Sequence, residues 1–279
     1  MRKKESGKKL PQNKKSIDGQ KVLRAKRSLG QNFLISKAVA QSIANAGELT
    51  NNDTVLEVGP GKGILTRELL VQAGTVIAFE KDDELYAKLK EIFEKEIDSK
   101  KLILIHDDIF NFENHRDSFG ESLKTLKIVA NIPYNITGKL LPFFFGLAPM
   151  PSKIVLLVQK EVADRIVARD GKESILSISV KAVGTPRSLK KVSKKLFSPS
   201  PKVDSAVLLI SDISKKNFEK VDEQTFFKLV KQGFSEKRKM LKNNLDTDRD
   251  KLFACGIKES ARAEELTVND WLCLTKHEL

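Results

Sequence analysis

Cysteine is nearly missing from this chain: Cys255 and Cys273 are the two examples among 279 residues. They form no C-x-x-C pair, so neither a disulfide framework nor a zinc site is expected, and such poverty in cysteine suits a reducing cytoplasm. Histidine is almost as rare. His106, His115 and His277 are scattered, and His106 beside Asp107 and Asp108 is too small a set to specify a metal. Long hydrophobic runs are absent as well. The longest, Leu140 to Met150, holds Pro142 and Pro149 and is too short to cross a bilayer. No membrane partner is expected. The N-terminal residues lack the apolar segment of a secretory signal.

What is present is a globular composition, 40% hydrophobic and 31% charged, with an uneven charge. The 50 basic and 37 acidic residues leave +13, and residues 1–27 hold 11 of the former and 2 of the latter. That arm therefore carries +9 and the other 252 residues only +4. It has no hydrophobic periodicity and reads as a disordered arm. Its charge suits phosphates, whose counterions it would release, and equally suits a solubilising tail.

Beyond the arm, short apolar runs alternate with helical patterns. The expected strands are residues 54–58, 75–80, 102–106, 127–131 and 153–159, with helices between them. Such alternation implies βαβ units and a parallel sheet covered by helices on both faces, an α/β architecture. Residues 173–184 fit either a strand or a buried helix. Residues 187–197 and 202–210 read as two more strands, and residues 222–279 as helices. The resulting division is an arm (1–27), an α/β domain (28–211) and a small all-helical C-terminal domain (212–279).

Four strand ends carry chemistry. Gly59, Gly61 and Gly63 follow the first strand at G-x-G-x-G spacing, which lets a ligand approach the backbone. The spacing departs from the dinucleotide pattern because residue 64 is Ile, which disfavours a nicotinamide dehydrogenase. Glu80 ends the second strand, where a carboxylate accepts both hydroxyls of a ribose. Asp107 or Asp108, ending the third, can accept from an adenine amino group. A ribose and an adenine without a second phosphate site suggest a nucleoside cofactor such as S-adenosylmethionine. Asn131-Ile132-Pro133-Tyr134 ends the fourth strand. The Asn131 side-chain oxygen and the Ile132 carbonyl can bind both hydrogens of an exocyclic amine, which frees its lone pair. Pro133 fixes the backbone and Tyr134 offers a stacking face. A capping asparagine with a turn proline is the plainer reading of the same four residues.

Read together, these motifs resemble a known family. "GQNFL" (30–34), "EVGPGKGILT" (57–66), "FEKD" (79–82), "DDI" (107–109), "NIPYNIT" (131–137), "QKEVADRI" (159–166) and "FSPSPKVDSAV" (197–207) stand in the order of the S-adenosylmethionine-dependent rRNA adenine N6-dimethyltransferases. The resemblance runs from about residue 24 to the C-terminus. "PKVDSAV", "FSEKRKMLKNNL" and "RAEELTVNDW" are most similar to its bacterial KsgA type rather than to the large-subunit enzymes of erythromycin resistance. The resemblance implies a Rossmann-like methyltransferase sheet that dimethylates two adjacent adenosines near the 3′ end of small-subunit rRNA, in an immature subunit, as a monomer. It implies Asn32 and Leu34 at the cofactor with Gly59, Gly61, Glu80, Asp108 and Asn131. It also implies Phe197 on a loop over the target base, opposite Tyr134. Lys194, Lys195, Lys237, Arg238 and Lys239 are the expected RNA contacts. The alternative is a ribosome-assembly factor that binds RNA and can dispense with catalysis.

Overall fold

A computed structural model describes residue 26 and residues 30–247 and 249–277. Apart from Lys26, the arm of residues 1–27 lies outside the described residues, and so does its expected disorder. Nine strands occur among the described residues: β1 (Phe33–Leu34), β2 (Thr54–Val58), β3 (Thr75–Phe79), β4 (Leu102–Ile105), β5 (Leu126–Asn131), β6 (Lys153–Gln159), β7 (Thr185–Val192), β8 (Phe197–Ser198) and β9 (Ser205–Ser211). Seven form one sheet in the order β4-β3-β2-β5-β6-β9-β7, and β1 pairs with β8 separately. Strands β2 to β6 are parallel, while β9 runs antiparallel to both its neighbours. The switch has a simple cause. Residues 193–204 return the chain from β7 to β9 without a crossover helix, and a parallel pairing needs one.

The strands bury both faces. Val55, Val76, Val129 and Val155 join Val39, Ile43, Leu65 and Leu69 in one cluster. Their neighbours Leu56, Ile77, Ile128 and Ile154 point the other way, into a cluster with Leu140, Phe144 and Ile166. This is the two-residue period of a strand read on both sides. The first cluster rests under helices Lys37–Ala46 and Ile64–Gln72, and the second under Thr137–Gly146 and Lys160–Val167.

The ambiguous residues 173–184 contain a helix, Ile175–Lys181. Ser174 and Ser177 cap its start reciprocally, with 3.1 Å from the Ser177 N–H to the Ser174 hydroxyl and 2.7 Å in return. Burial on two sides explains the ambiguity. Val180 faces the sheet cluster, while Ile178 and Ala182 face the C-terminal helices. Those helices, Glu223–Gly233, Leu241–Leu245, Arg249–Ala254 and Val268–Lys276, close around the fully buried Trp271. Gly233 permits the closest approach: a Cβ there would lie 2.3 Å from the Trp271 ring.

The cysteines correct the expectation drawn from their spacing. Cys255 and Cys273 are joined in a disulfide, with 5.7 Å between their Cα atoms. Cys255 follows one helix and Cys273 lies on another, and packing around Trp271 brings the two together. No helix among the described residues is long and apolar enough to cross a membrane.

Candidate cofactor and base site

The site forms where β2, β3, β4 and β5 end. Two backbone bonds align the edge: the Gly59 N–H donates to Phe79 O (2.9 Å) and the Glu80 N–H to Ile105 O (3.0 Å). Gly59, Gly61 and Gly63 all take positive φ, at +65°, +60° and +75°, where a side chain is strained. Their surroundings separate their roles. A Cβ on Gly63 would stand 2.6 Å from the Phe93 ring, so this glycine lets the following helix pack. A Cβ on Gly59 would meet nothing nearer than Pro133 at 3.9 Å. Gly59 therefore leaves backbone open toward the cavity.

Glu80 stands one residue past β3 and is almost wholly buried. Its carboxylate accepts from the Gly61 N–H at 3.1 Å and the Asp82 N–H at 2.9 Å. Burial pushes its pKa up, and these two N–H groups oppose that. The glycine turn thus aims the carboxylate while leaving it lone pairs to spare. Asp108 is paired with Lys81 at 2.9 Å and caps the 3-10 turn after it by accepting from the Phe110 N–H. Asp107 accepts from Asn111 (2.8 Å) and bonds His115 (2.8 Å). His115 first, then Asn111 and the Asp108 N–H, hold Asp107 at about 2.

Asn131 is the last residue of β5. Ile132 sends its side chain into the core, so it can offer the cavity only its backbone. Pro133 sits at φ −57° and ψ 130°, and its carbonyl accepts from the Ile136 N–H at 3.2 Å. Tyr134 is half-buried, and its hydroxyl bonds the buried Ser205 at 2.7 Å. Burial pushes the phenol up, against the Ser205 bond, so it stays neutral. One cavity of about 270 Å³ gathers Asn32, Leu34, Gly59, Gly61, Glu80, Asp108, Asn131, Ile132, Pro133 and Tyr134 on its walls.

A profile of the family described as ribosomal RNA adenine dimethylase matches residues 22–277. The chain belongs to the ribosomal RNA adenine dimethylase family. Relatives agree. Two proteins named ribosomal RNA small subunit methyltransferase A, from Dehalococcoides mccartyi and Thermosynechococcus vestitus, are 38% and 37% identical. They align over 95% and 91% of this chain and 92% and 97% of their own. A crystal structure of a dimethyladenosine transferase from Plasmodium falciparum shares the fold. Its TM-score is 0.71 at 24% identity, over 88% of this chain and 96% of the other.

Two expectations for this dimethylase chain change with the structure. Phe197 is not on an open loop over the cavity. It lies in β8, is 3% exposed, pairs with Leu34 and packs among Leu34, Val192 and Leu196. An aromatic flanked by apolar residues is pulled inward, and here it supports β1 from behind. Lys237, Arg238 and Lys239 fall within residues 222–279, expected to be helical, yet they are not in a helix. They occupy the exposed turn between helices Glu223–Gly233 and Leu241–Leu245, where Glu236 pairs with Lys239 at 2.6 Å. Lys195 is exposed, whereas the Lys194 ammonium donates to Lys202 O at 3.2 Å. Ser200, which interrupts the prolines after Phe197, closes the same loop by donating to Lys194 O at 2.9 Å.

Gln31, Asn135 and Glu57 also line the cavity and were given no role by the sequence. Gln31 reaches Asp82 (3.1 Å), which also pairs with Lys26 (2.8 Å), so this contact ties the segment before β1 to the site. Asn135 presses on the same segment: a Cβ on Gly30 would lie 2.9 Å from its Oδ1. Glu57 lines the cavity from inside β2, 1% exposed, and its Oε2 has no hydrogen-bond partner. Burial pushes it up to about 8, with the Glu80 charge adding and Thr66 opposing. A carboxyl inside an apolar strand run was the available signal for Glu57.

Proposed function

We propose that this chain transfers methyl groups from S-adenosylmethionine to N6 of two adjacent adenosines near the 3′ end of small-subunit rRNA. It does so as a monomer, on an immature subunit, in the cytoplasm. The observation that carries the reading is that Asn131, Ile132, Pro133 and Tyr134 share one cavity with Gly59 and Glu80. Family membership and the names of the two relatives supply the adenine and the small subunit.

The residues fit the cofactor. Open backbone at Gly59 admits it, Glu80 has spare lone pairs for a ribose, and Asp108 stands at the next strand end for an adenine amino group. Asn32 and Leu34 close the same cavity from the N-terminal side. Bound there, S-adenosylmethionine supplies an electrophilic methyl group. The chain's own work is positional. The Asn131 side-chain oxygen and the Ile132 carbonyl accept the two hydrogens of the target amine and favour a pyramidal nitrogen, so its lone pair is less delocalised into the ring. Pro133 holds that carbonyl in place, and Tyr134, braced by Ser205, stacks on the extruded base. The neutral Tyr134 phenol takes no proton. The amine becomes strongly acidic once methylated and gives its proton to solvent. Lys195 and the turn of Lys237, Arg238 and Lys239 offer cations to phosphates.

The test uses purified protein, labelled cofactor and unmethylated small subunits. Wild type incorporates four methyl groups per subunit. Asn131→Ala lowers the rate by about 100-fold or more, as loss of one positioned polar group does, and keeps cofactor binding. Neither incorporation nor cofactor binding in wild type would overturn the reading. Equal subunit maturation with wild type and Asn131→Ala would move the cellular role to RNA binding.

A further inference from the structure

The C-terminal helices carry a cluster that the methyl-transfer chemistry does not use. Cys255, Cys273 and His277 each offer one ligand atom, and these atoms lie within 4.8 Å of one another. Among the described residues this is the only such group of three His, Cys, Asp or Glu side chains. None of them lines the cofactor cavity.

We propose that Cys255, Cys273 and His277 form a metal site that takes zinc(II) when the disulfide is reduced. Three observations converge. First, Cys273 and His277 are four residues apart at the end of helix Val268–Lys276, so they share one side of it. Second, Cys255 comes from a different segment, and only the packed helices bring it to the pair. Third, a cross-link between two sulfurs needs no imidazole, yet His277 stands beside them.

The donor set selects the ion. Two thiolates and an imidazole are soft and borderline ligands, which suit zinc and reject magnesium and calcium. Two thiolates also cancel the charge of a divalent ion, and that suits cysteines that are only half-buried. Three protein ligands leave a fourth position for water.

Metal and disulfide exclude one another, because a sulfur bonded to sulfur is not a thiolate. The exchange balances with an external dithiol. The dithiol gives two electrons and two protons to the Cys255–Cys273 bond, which opens to two thiols, and becomes a disulfide itself. Zinc then displaces both thiol protons to solvent and meets a neutral imidazole. The last helix is thereby held in either state: by a sulfur–sulfur bond when oxidised, by the ion when reduced.

The test takes the full-length chain, reduced with a dithiol and freed of it by anaerobic gel filtration, and titrates it with cobalt(II). One cobalt per chain should give a thiolate charge-transfer band and tetrahedral visible bands, both removed by added zinc. Oxidised protein should give neither. His277→Ala should weaken cobalt binding by about 100-fold, since even outer partners of metal ligands are worth about 10–100-fold. Cys273→Ser should abolish it. No bands in reduced protein, equal bands in oxidised protein, or unchanged affinity in His277→Ala would each overturn the proposal. Cys273→Ser also removes the cross-link, so circular dichroism accompanies it. Should that variant fail to fold, His277→Ala decides alone, because the side chain is exposed and both cysteines remain in place.

Discussion

At the residue scale, single polar groups at the carboxyl edge of the sheet set the properties of the site. The Tyr134 ring is held by one hydrogen bond to Ser205, which is fully buried. The two ends of that bond should respond differently to mutation. Tyr134→Phe leaves a buried hydroxyl unpaired and should cost about 1–3 kcal/mol in urea unfolding. Ser205→Ala leaves a half-buried phenol that can reach water and should cost about 0.5–1.5 kcal/mol. Equal costs would mean that the bond is not what holds the ring. Glu57 governs a pH effect. With its carboxyl at about 8 in the fold and near 4.5 ordinarily, the folded chain holds one more proton than the unfolded chain between those values. Stability of the ligand-free protein should therefore fall as pH rises from about 4.5 to about 8, by at most about 1.4 kcal/mol per unit. Glu57→Gln should flatten that slope in denaturation measured across the range. The carboxyl of Glu57 stands out within "TVLEV", but its depth in the fold was not legible there. Its burial depends on both neighbouring strands being present.

At the scale of elements, the turn from β2 into helix Ile64–Gln72 combines a ligand-facing glycine with a packing glycine. Gly59→Ala and Gly63→Ala should both pay for a left-handed backbone, about 1–2 kcal/mol each. Beyond that they diverge. Gly63→Ala adds a clash with Phe93 and should lose several-fold more stability. Gly59→Ala should lose cofactor affinity and show on unfolding no more than the backbone cost, since its Cβ meets nothing nearer than 3.9 Å. Isothermal titration beside thermal melts separates the two, and a shared pattern would deny the division. The spacing of the three glycines was legible in the sequence. Their different duties were not, because Phe93 lies 30 residues downstream of Gly63. Helix Ile175–Lys181 shows the same limit, since its apolar residues serve two cores at once.

At the scale of the whole molecule, charge is the dominant feature. Residues 1–27 hold +9 of the net +13. Removing residues 1–25 should weaken binding to small-subunit rRNA at low salt and flatten the plot of log affinity against log salt. Cofactor affinity should not change, because the cavity is lined from residue 30 onward. Filter binding over a range of salt concentrations checks this, and an unchanged slope would assign the arm to solubility alone.

Local pattern and strand-end chemistry were enough for the sequence by itself to determine the α/β class, the boundaries of β2 to β6 and of β9 to within a few residues, the glycine turn and ten residues of the cavity wall, but not β1, β8 or the end of β7. Those features depend on periodicity and on which residue types end a strand. Tertiary structure decided the rest. It turned β9 antiparallel, drew Phe197 inward behind Leu34, buried Glu57, and joined Cys255 to Cys273 beside His277. Each of these depends on what another segment of the chain brings alongside, and no local pattern carries that.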